Sequence, residues 1–447
     1  MAATLSELDL NFADRLQPQP RQESVQLTVD LIDSKNQFVN LKAPWQTLYA
    51  IDRESGYFLS WGWISALFEE YSSRVRILAV RRTDGPRKSA SPADYVALFP
   101  ISSRMRWSDS GQKFQTILEP CGRNALSELT GILCDPAHEA AAIAALADKI
   151  SALPWTRFSM RYEPTGRRAK ILLEALPDDR FVGRFRSYLI NDDEIDNLNC
   201  PQVALPQVYD NWLSTLSSNT RQKIRRFTRR HLESGEWHVS QVRDDTLDRD
   251  IEIVLDHWQQ RWVAEKGRSS TRRTTSIYRH MMKTAHQLGA LHLPILWAGE
   301  TPLVAHGCIW DASRRHVHFV LSGRSIENDR PNSGFLLHCD SIRRAVEAGF
   351  AIYDFGHGDE AYKASLGGSI KRLHYLFVER RSNHPVDTID PYNMSHAVRR
   401  IRSSLDTGKT VEARAACNDL LKIIDAHSLK DGAALTTLTD LEHPDHG

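Results

Sequence analysis

The run AIYDFGHGDEAYKASLGG, residues 351–368, changes character at its middle. Its first part is apolar apart from Tyr353 and Asp354, as a buried strand requires, and Gly356 and Gly358 then break it into a loop carrying His357, Asp359, Glu360, Tyr362 and Lys363. A buried strand fixes the backbone, and glycine lets the chain turn or approach a ligand closely, so ionisable groups are presented at a strand end. Each residue alone also fits a solvated acidic turn. As a set they point to a site.

Upstream of it, FLLHCDSIRRAVEAGF is expected to be a helix with Phe335, Leu336, Cys339, Ile342 and Val346 inward and Gly349 at its C-terminus. LHLPILWAG, TPLVAHGCIWD and HVHFVLSG read as an antiparallel meander turning at Gly299-Glu300-Thr301-Pro302. Residues 251–263 and 278–288 read as helices and WHVSQVRD as a strand. Residues 207–231 read as largely helical, with Leu213, Leu216, Thr220, Ile224 and Phe227 on one face. The opposite face crowds Arg221, Lys223, Arg225, Arg226, Arg229 and Arg230 together, either as a phosphate-binding surface or as a solvated helix face. No interleaved aromatic platform marks it for RNA. LHYLFVER follows the opening stretch as a last strand.

The earlier half has a similar rhythm. A helix near FLSWGWISALFEEY, strands at VRILAV, YVALFPIS and QTILEP, a strand at LTGILCD, a helix capped by Asp135 and a strand at WTRFSMRYE are expected in turn. This divides the chain into a flexible arm at 1–40, one unit at 41–200, a second at 201–382 and a helical or disordered tail at 383–447.

The chain has 447 residues, 41% hydrophobic and 25% charged, with a net charge of +1. That length accommodates several domains, and the charge supplies no global field toward nucleic acid or an anionic membrane. Six cysteines without a C-x-x-C pair or zinc-site spacing fit a reducing compartment, and the acidic N-terminus lacks the pattern of a signal peptide. A cytoplasmic protein without a membrane span or a metal is expected. Cys308, Cys339, His306, His316 and His318 read as core or surface residues, although one histidine of the meander can reach a cleft. The absence of H-E-x-x-H, G-x-S-x-G and Walker A motifs argues against a metalloprotease, an α/β-hydrolase or a P-loop enzyme.

The order of elements in the second unit resembles the catalytic half of GNAT acyltransferases, and the details resemble the CelD/BcsL branch linked to cellulose and other polysaccharide biosynthesis. LSSNTRQKIRRFTRRHLESGE, HWQQRW, VLSGRS with the Ser333-Gly334 helix start, and YDFGHGDEAYKASLG carry the likeness. The earlier half is similar to that family's N-terminal portion, and such proteins resemble the FemAB transferases in pairing two units. The resemblance implies an α/β (α+β) fold of two GNAT-like domains, each a mixed, mostly antiparallel sheet flanked by helices.

It also implies acetyl-CoA or another acyl-CoA as cosubstrate and an amine or hydroxyl acceptor, small or glycan-linked, with a polysaccharide synthase complex as a partner. The GNAT donor loop, Arg/Gln-x-x-Gly-x-Gly/Ala, corresponds to Arg330-Pro331-Asn332-Ser333-Gly334-Phe335, where Ser333 replaces the first glycine and Phe335 stands where Gly or Ala is usual. Backbone N–H groups and the helix dipole there suit a pyrophosphate. Arg330, Asn332, Ser333 and Gly334, with Arg225 and Arg226, are therefore expected to bind the coenzyme. Asp359 and Glu360 are expected as base or ammonium holder, Tyr362 as the acid for the departing thiolate, and Lys363 to orient an anionic group. Two alternatives stay open: an aminoacyl transferase using charged tRNA, with the basic helix facing RNA, and a non-catalytic binding module of a synthase complex.

Overall fold

Largely apolar strands, the central ones buried on both faces, form two large sheets in the computed structural model, which describes residues 26–71, 75–83, 91–190, 192–381 and 389–439. The first has the spatial order Leu27–Ile32, Val75–Arg82, Tyr95–Ser108, Lys113–Pro120, Arg157–Glu163, His374–Arg380, Phe181–Phe185. The second has the order Trp237–Ser240, Ile295–Ala298, Thr301–Asp311, His316–Arg324, Ile352–Asp354, Asn199–Ala204, Ser369–Arg372. Both are antiparallel except at one joint: Lys113–Pro120 runs parallel to Arg157–Glu163, and His316–Arg324 runs parallel to Ile352–Asp354. Two mixed sheets with flanking helices give the expected α/β class, and the second sheet repeats the strand order of the first around its one parallel joint.

The repeat is closed by an exchange. Asn199–Ala204 sits in the second sheet between Ile352–Asp354 and Ser369–Arg372, while His374–Arg380 sits in the first between Arg157–Glu163 and Phe181–Phe185. The last strand, expected to complete the second unit, thus completes the first sheet. Leu376 and Val378 explain it, being buried in the core that Leu146, Ile150, Trp155 and Phe158 form over that sheet.

Helices cover both sheets. Glu139–Ala152 and Arg167–Ala175 lie on one face of the first, and Lys42–Ile51 and Trp61–Tyr71 on the other, where Met281 and Ala285 of Arg268–Gln287 join the same core. Buried Arg168 ties these layers together by donating to Asp52 (2.8 and 2.9 Å) and Glu139 (2.9 Å). In the second sheet, Ser333–Glu347 and the helices Tyr209–Thr215 and Ser218–Phe227 pack on one face through Trp212, Ile224, Cys339, Ile342 and Tyr353. Among the described residues no helix is long and apolar enough to cross a membrane.

The expected arm needs a correction. Of the expected arm, residues 1–25 lie outside the described residues, but Leu27–Ile32 pairs with Val75–Arg82 and lays Leu27, Val29 and Leu31 against the first core. Of the expected tail, 383–388 and 440–447 lie outside the described residues. Met394–Asp406 and Thr410–Thr439 are helices, and Ala397, Ala416, Leu420 and Ile423 pack them on Trp107 and Phe114.

Candidate active site

The parallel joint of the second sheet is short. His316, Val317 and His318 pair with Ile352, Tyr353 and Asp354, after which one strand continues to Arg324 and the other stops at Gly356 (φ +69°) and Gly358 (φ +92°). Gly356 is required twice, because a Cβ there would also lie 2.9 Å from the Phe319 carbonyl oxygen.

The helix Ser333–Glu347, which connects these two strands, begins at Asn332 in the left-handed region (φ +68°) without a side-chain cap. Its first turn therefore has N–H groups that no capping side chain satisfies. The Arg330 carbonyl accepts from the Ser333 N–H (3.1 Å), and the Ser333 hydroxyl is buried without a hydrogen-bond partner. Nothing lies within 4 Å of a Cβ built on Gly334, so the space beside this turn is open. Lys223 of the basic helix stands 4.4 Å from the centre of the Phe335 ring and brings a cation to the helix start.

The predicted coenzyme residues divide here. Arg225 lines a cavity of about 510 Å³ with Arg229, Leu336, Cys339 and Arg343, along the flank of the same helix. Arg226 instead stacks on Phe227 at 5.3 Å, and Arg330 is exposed. A larger cavity, about 730 Å³ between Asp256, Gln260 and Arg272, touches none of these residues.

The loop residues also divide. Asp359 is exposed, with the Asn199 amide 3.5 Å from its carboxylate. Tyr362 packs on His338 (ring centres 5.4 Å apart), about one turn from the helix start. Burial, and then Glu360, raise the Tyr362 phenol above its ordinary pKa, which keeps it protonated. Lys363 is turned inward, 2% exposed. Its ammonium donates to the carbonyls of His357 (2.6 Å) and Gly358 (3.1 Å) and lies 2.9 Å from the Glu360 carboxylate. All three of its protons hold the loop, so it is not presented to an acceptor.

Asp354 and His357 of the opening stretch lie in a polar layer on the opposite face of the sheet, toward the first half, and their convergence with His316 and His318 is what the sequence reading missed. Asp354 accepts from the Gln202 amide (2.7 Å) and the Gly356 N–H (2.7 Å), with His316 at 3.6 Å and His318 beside it. Next to it, His357 stacks on Tyr162 (4.1 Å), with Nε2 2.8 Å from Glu128 and Nδ1 3.1 Å from the Cys200 sulfur. Burial, then Asp354 and Glu128, push the Cys200 thiol far up, and burial pushes Cys308 up to about 12. Neither is a nucleophile near neutral pH. The His316-x-His318 spacing was the available signal, since residues i and i+2 of a strand share a face.

Several solved structures resemble the chain. FemX superposes with a TM-score of 0.52 at 12% identity, over 78% of this chain and 96% of that one. A conserved protein of unknown function from Bacteroides thetaiotaomicron VPI-5482 matches at 14% identity over 79% of this chain and 100% of its own, with a TM-score of 0.45. A tandem GNAT protein from the clavulanic acid biosynthesis pathway matches at 11% over 80% and 99%, with a TM-score of 0.40. The FemX likeness is one of fold, and it spans both sheets. No curated protein matches. Residues 218–364, which include the basic helix, the helix start at Ser333 and the loop through Lys363, match the acetyltransferase (GNAT) domain family.

Proposed function

We propose that the chain is an acyl-CoA-dependent N- or O-acyltransferase that transfers directly from the thioester to an amine or hydroxyl. The observation that carries this is the uncapped start of Ser333–Glu347, with Lys223 beside it, inside the segment that matches the acetyltransferase domain. Free N–H groups, the helix dipole and a lysine together suit a pyrophosphate. In the transfer, the acceptor nitrogen or oxygen bonds to the thioester carbonyl carbon, the C–S bond breaks, and the thiolate takes a proton. A half-buried, protonated Tyr362 is suited to donate it, and Asp359 to receive the acceptor's proton or hold its ammonium. Glu360 and Lys363 hold the loop. The resemblance of residues 216–236 and 353–367 to CelD/BcsL-like proteins supports an acceptor in polysaccharide or cell-envelope synthesis.

A second reading, aminoacyl transfer from tRNA, is favoured by the exposed Arg225, Arg226, Arg229 and Arg230, none of which forms an ion pair among the described residues. Thermal melting with acetyl-CoA, longer acyl-CoAs and tRNA separates the readings. A ligand at 100-fold excess over its Kd adds about 2.7 kcal/mol, a shift of several degrees. Gly334→Asp places a carboxylate against the phosphate site without a steric clash, so it should abolish the CoA shift and leave the unliganded melting point unchanged. A shift with tRNA alone favours the second reading. No shift with any of them makes the chain a binding module.

A further inference from the structure

We propose that His316, His318 and Asp354 bind one divalent transition-metal ion, Zn²⁺ or Fe²⁺ in chemistry, with an open position toward an anionic oxygen ligand. One nitrogen from each imidazole and one carboxylate oxygen all lie within 4.8 Å of one another. Ligands at about 2.0–2.2 Å around a tetrahedral ion stand roughly 3.3 Å apart, close to the 3.6 Å between His316 Nε2 and Asp354 Oδ2. The backbone brings the three side chains to one spot: His316 and His318 are two apart on one strand, and Asp354 is the parallel-strand partner of His318. The two rings are stacked at 4.0 Å and 9°, so binding turns them about their side-chain bonds until both lone pairs aim at the ion.

The donors are also prepared. Nε2 of both histidines is buried; that of His318 has no hydrogen-bond partner, and that of His316 faces only the Asp354 carboxylate at 3.6 Å. The Asp354 carboxylate is held in place by the Gln202 amide and the Gly356 N–H, which leaves it a lone pair to offer. Two histidines and one carboxylate on one side of an ion are a donor set for zinc or non-haem ferrous iron, with positions left for another ligand.

That ligand would come from a cavity of about 420 Å³ between the two halves, which both histidines line. Arg53, Arg314, Arg315 and Lys371 line it too, against the carboxylates of Glu54 and Asp311, so its cations outnumber its anions. These cations oppose a bare dication, and they favour an ion that carries a carboxylate or phosphate oxygen as its further ligand. The site lies on the face of the sheet away from Ser333–Glu347, since the alternate residues Val317 and Tyr353 are the ones buried against that helix. It therefore stands or falls independently of the coenzyme.

The test is Co²⁺ and Zn²⁺ titration of the full chain after chelator treatment, followed by metal analysis and the visible spectrum, with and without acetate or phosphate. One Co²⁺ per chain is expected, with tetrahedral ligand-field bands, no thiolate charge-transfer band and a spectral change on adding the anion. His318→Ala and Asp354→Asn should weaken binding by about 100-fold or more. Gln202→Leu, which only frees the carboxylate to turn, should cost about 10–100-fold. If His318→Ala does not fold, the partly exposed His316→Ala serves in its place. The proposal is overturned if the wild-type chain binds neither ion at equimolar concentration. It is equally overturned if the His316→Ala/His318→Ala double variant binds as the wild type does; the cluster is then a histidine–aspartate pair.

Discussion

His306 is fully enclosed between the Phe319 ring at 5.1 Å and the His338 ring at 4.2 Å, and neither of its nitrogens has a hydrogen-bond partner. Burial, and then His292, lower its pKa from 6.5 to about 3. The folded state therefore keeps it neutral, while the unfolded chain takes up a proton below about pH 6.5. The stability associated with the neutral ring is complete above pH 6.5 and is lost as pH falls toward 3, at about 1.4 kcal/mol per pH unit. His306→Phe removes this group, so between pH 6.5 and 5 the variant should lose about 2 kcal/mol less than the wild type in urea unfolding. Parallel pH curves for the two proteins would show that His306 is not the titrating group.

At the scale of elements, the loop between Ile352–Asp354 and the short helix Ala361–Ser365 is held from inside by Lys363. Removing that ammonium leaves buried carbonyls unpaired, which costs about 2–3 kcal/mol for charge-assisted bonds. Lys363→Ala is expected to lower the melting point together with activity. Asp359→Asn, on the exposed side of the same loop, should keep the melting point and lower turnover by about 100-fold or more. Equal turnover in wild type and Asp359→Asn on an identified acceptor would remove that residue from the chemistry.

Across the whole molecule, the reciprocal placement of Asn199–Ala204 and His374–Arg380 means that each sheet is completed by a strand contributed across the repeat. Without its borrowed strand, either sheet would carry a gap in its backbone hydrogen bonding and lose part of its core. The halves should therefore unfold together. Calorimetry, tryptophan fluorescence and far-UV dichroism are expected to report one coincident transition. Two transitions separated by several degrees would show that the exchange does not couple the halves.

Local pattern determined much of this. The periodicity of FLLHCDSIRRAVEAGF, the meander from residue 291 to 323 and the glycine-broken end of the strand at Asp354 were legible, because each is specified by residues within a few positions of one another. LTVDLI alternates as a strand does, but its polar surroundings placed it in the expected flexible arm. Partner choice was not local. Nothing in LHYLFVER says whether it joins Ser369–Arg372 or crosses to Arg157–Glu163, since both sheets offer apolar neighbours and the decision rests on which core it completes. The direction of a side chain at a loop also belongs to the tertiary structure. The sequence by itself placed Asp359, Tyr362 and Lys363 on one loop. Only the fold determined that Lys363 turns inward to two carbonyls, that Lys223 arrives at Phe335 from 112 residues away by numbering, and that His316, His318 and Asp354 converge, because a parallel joint brings together strands separated by a whole helix.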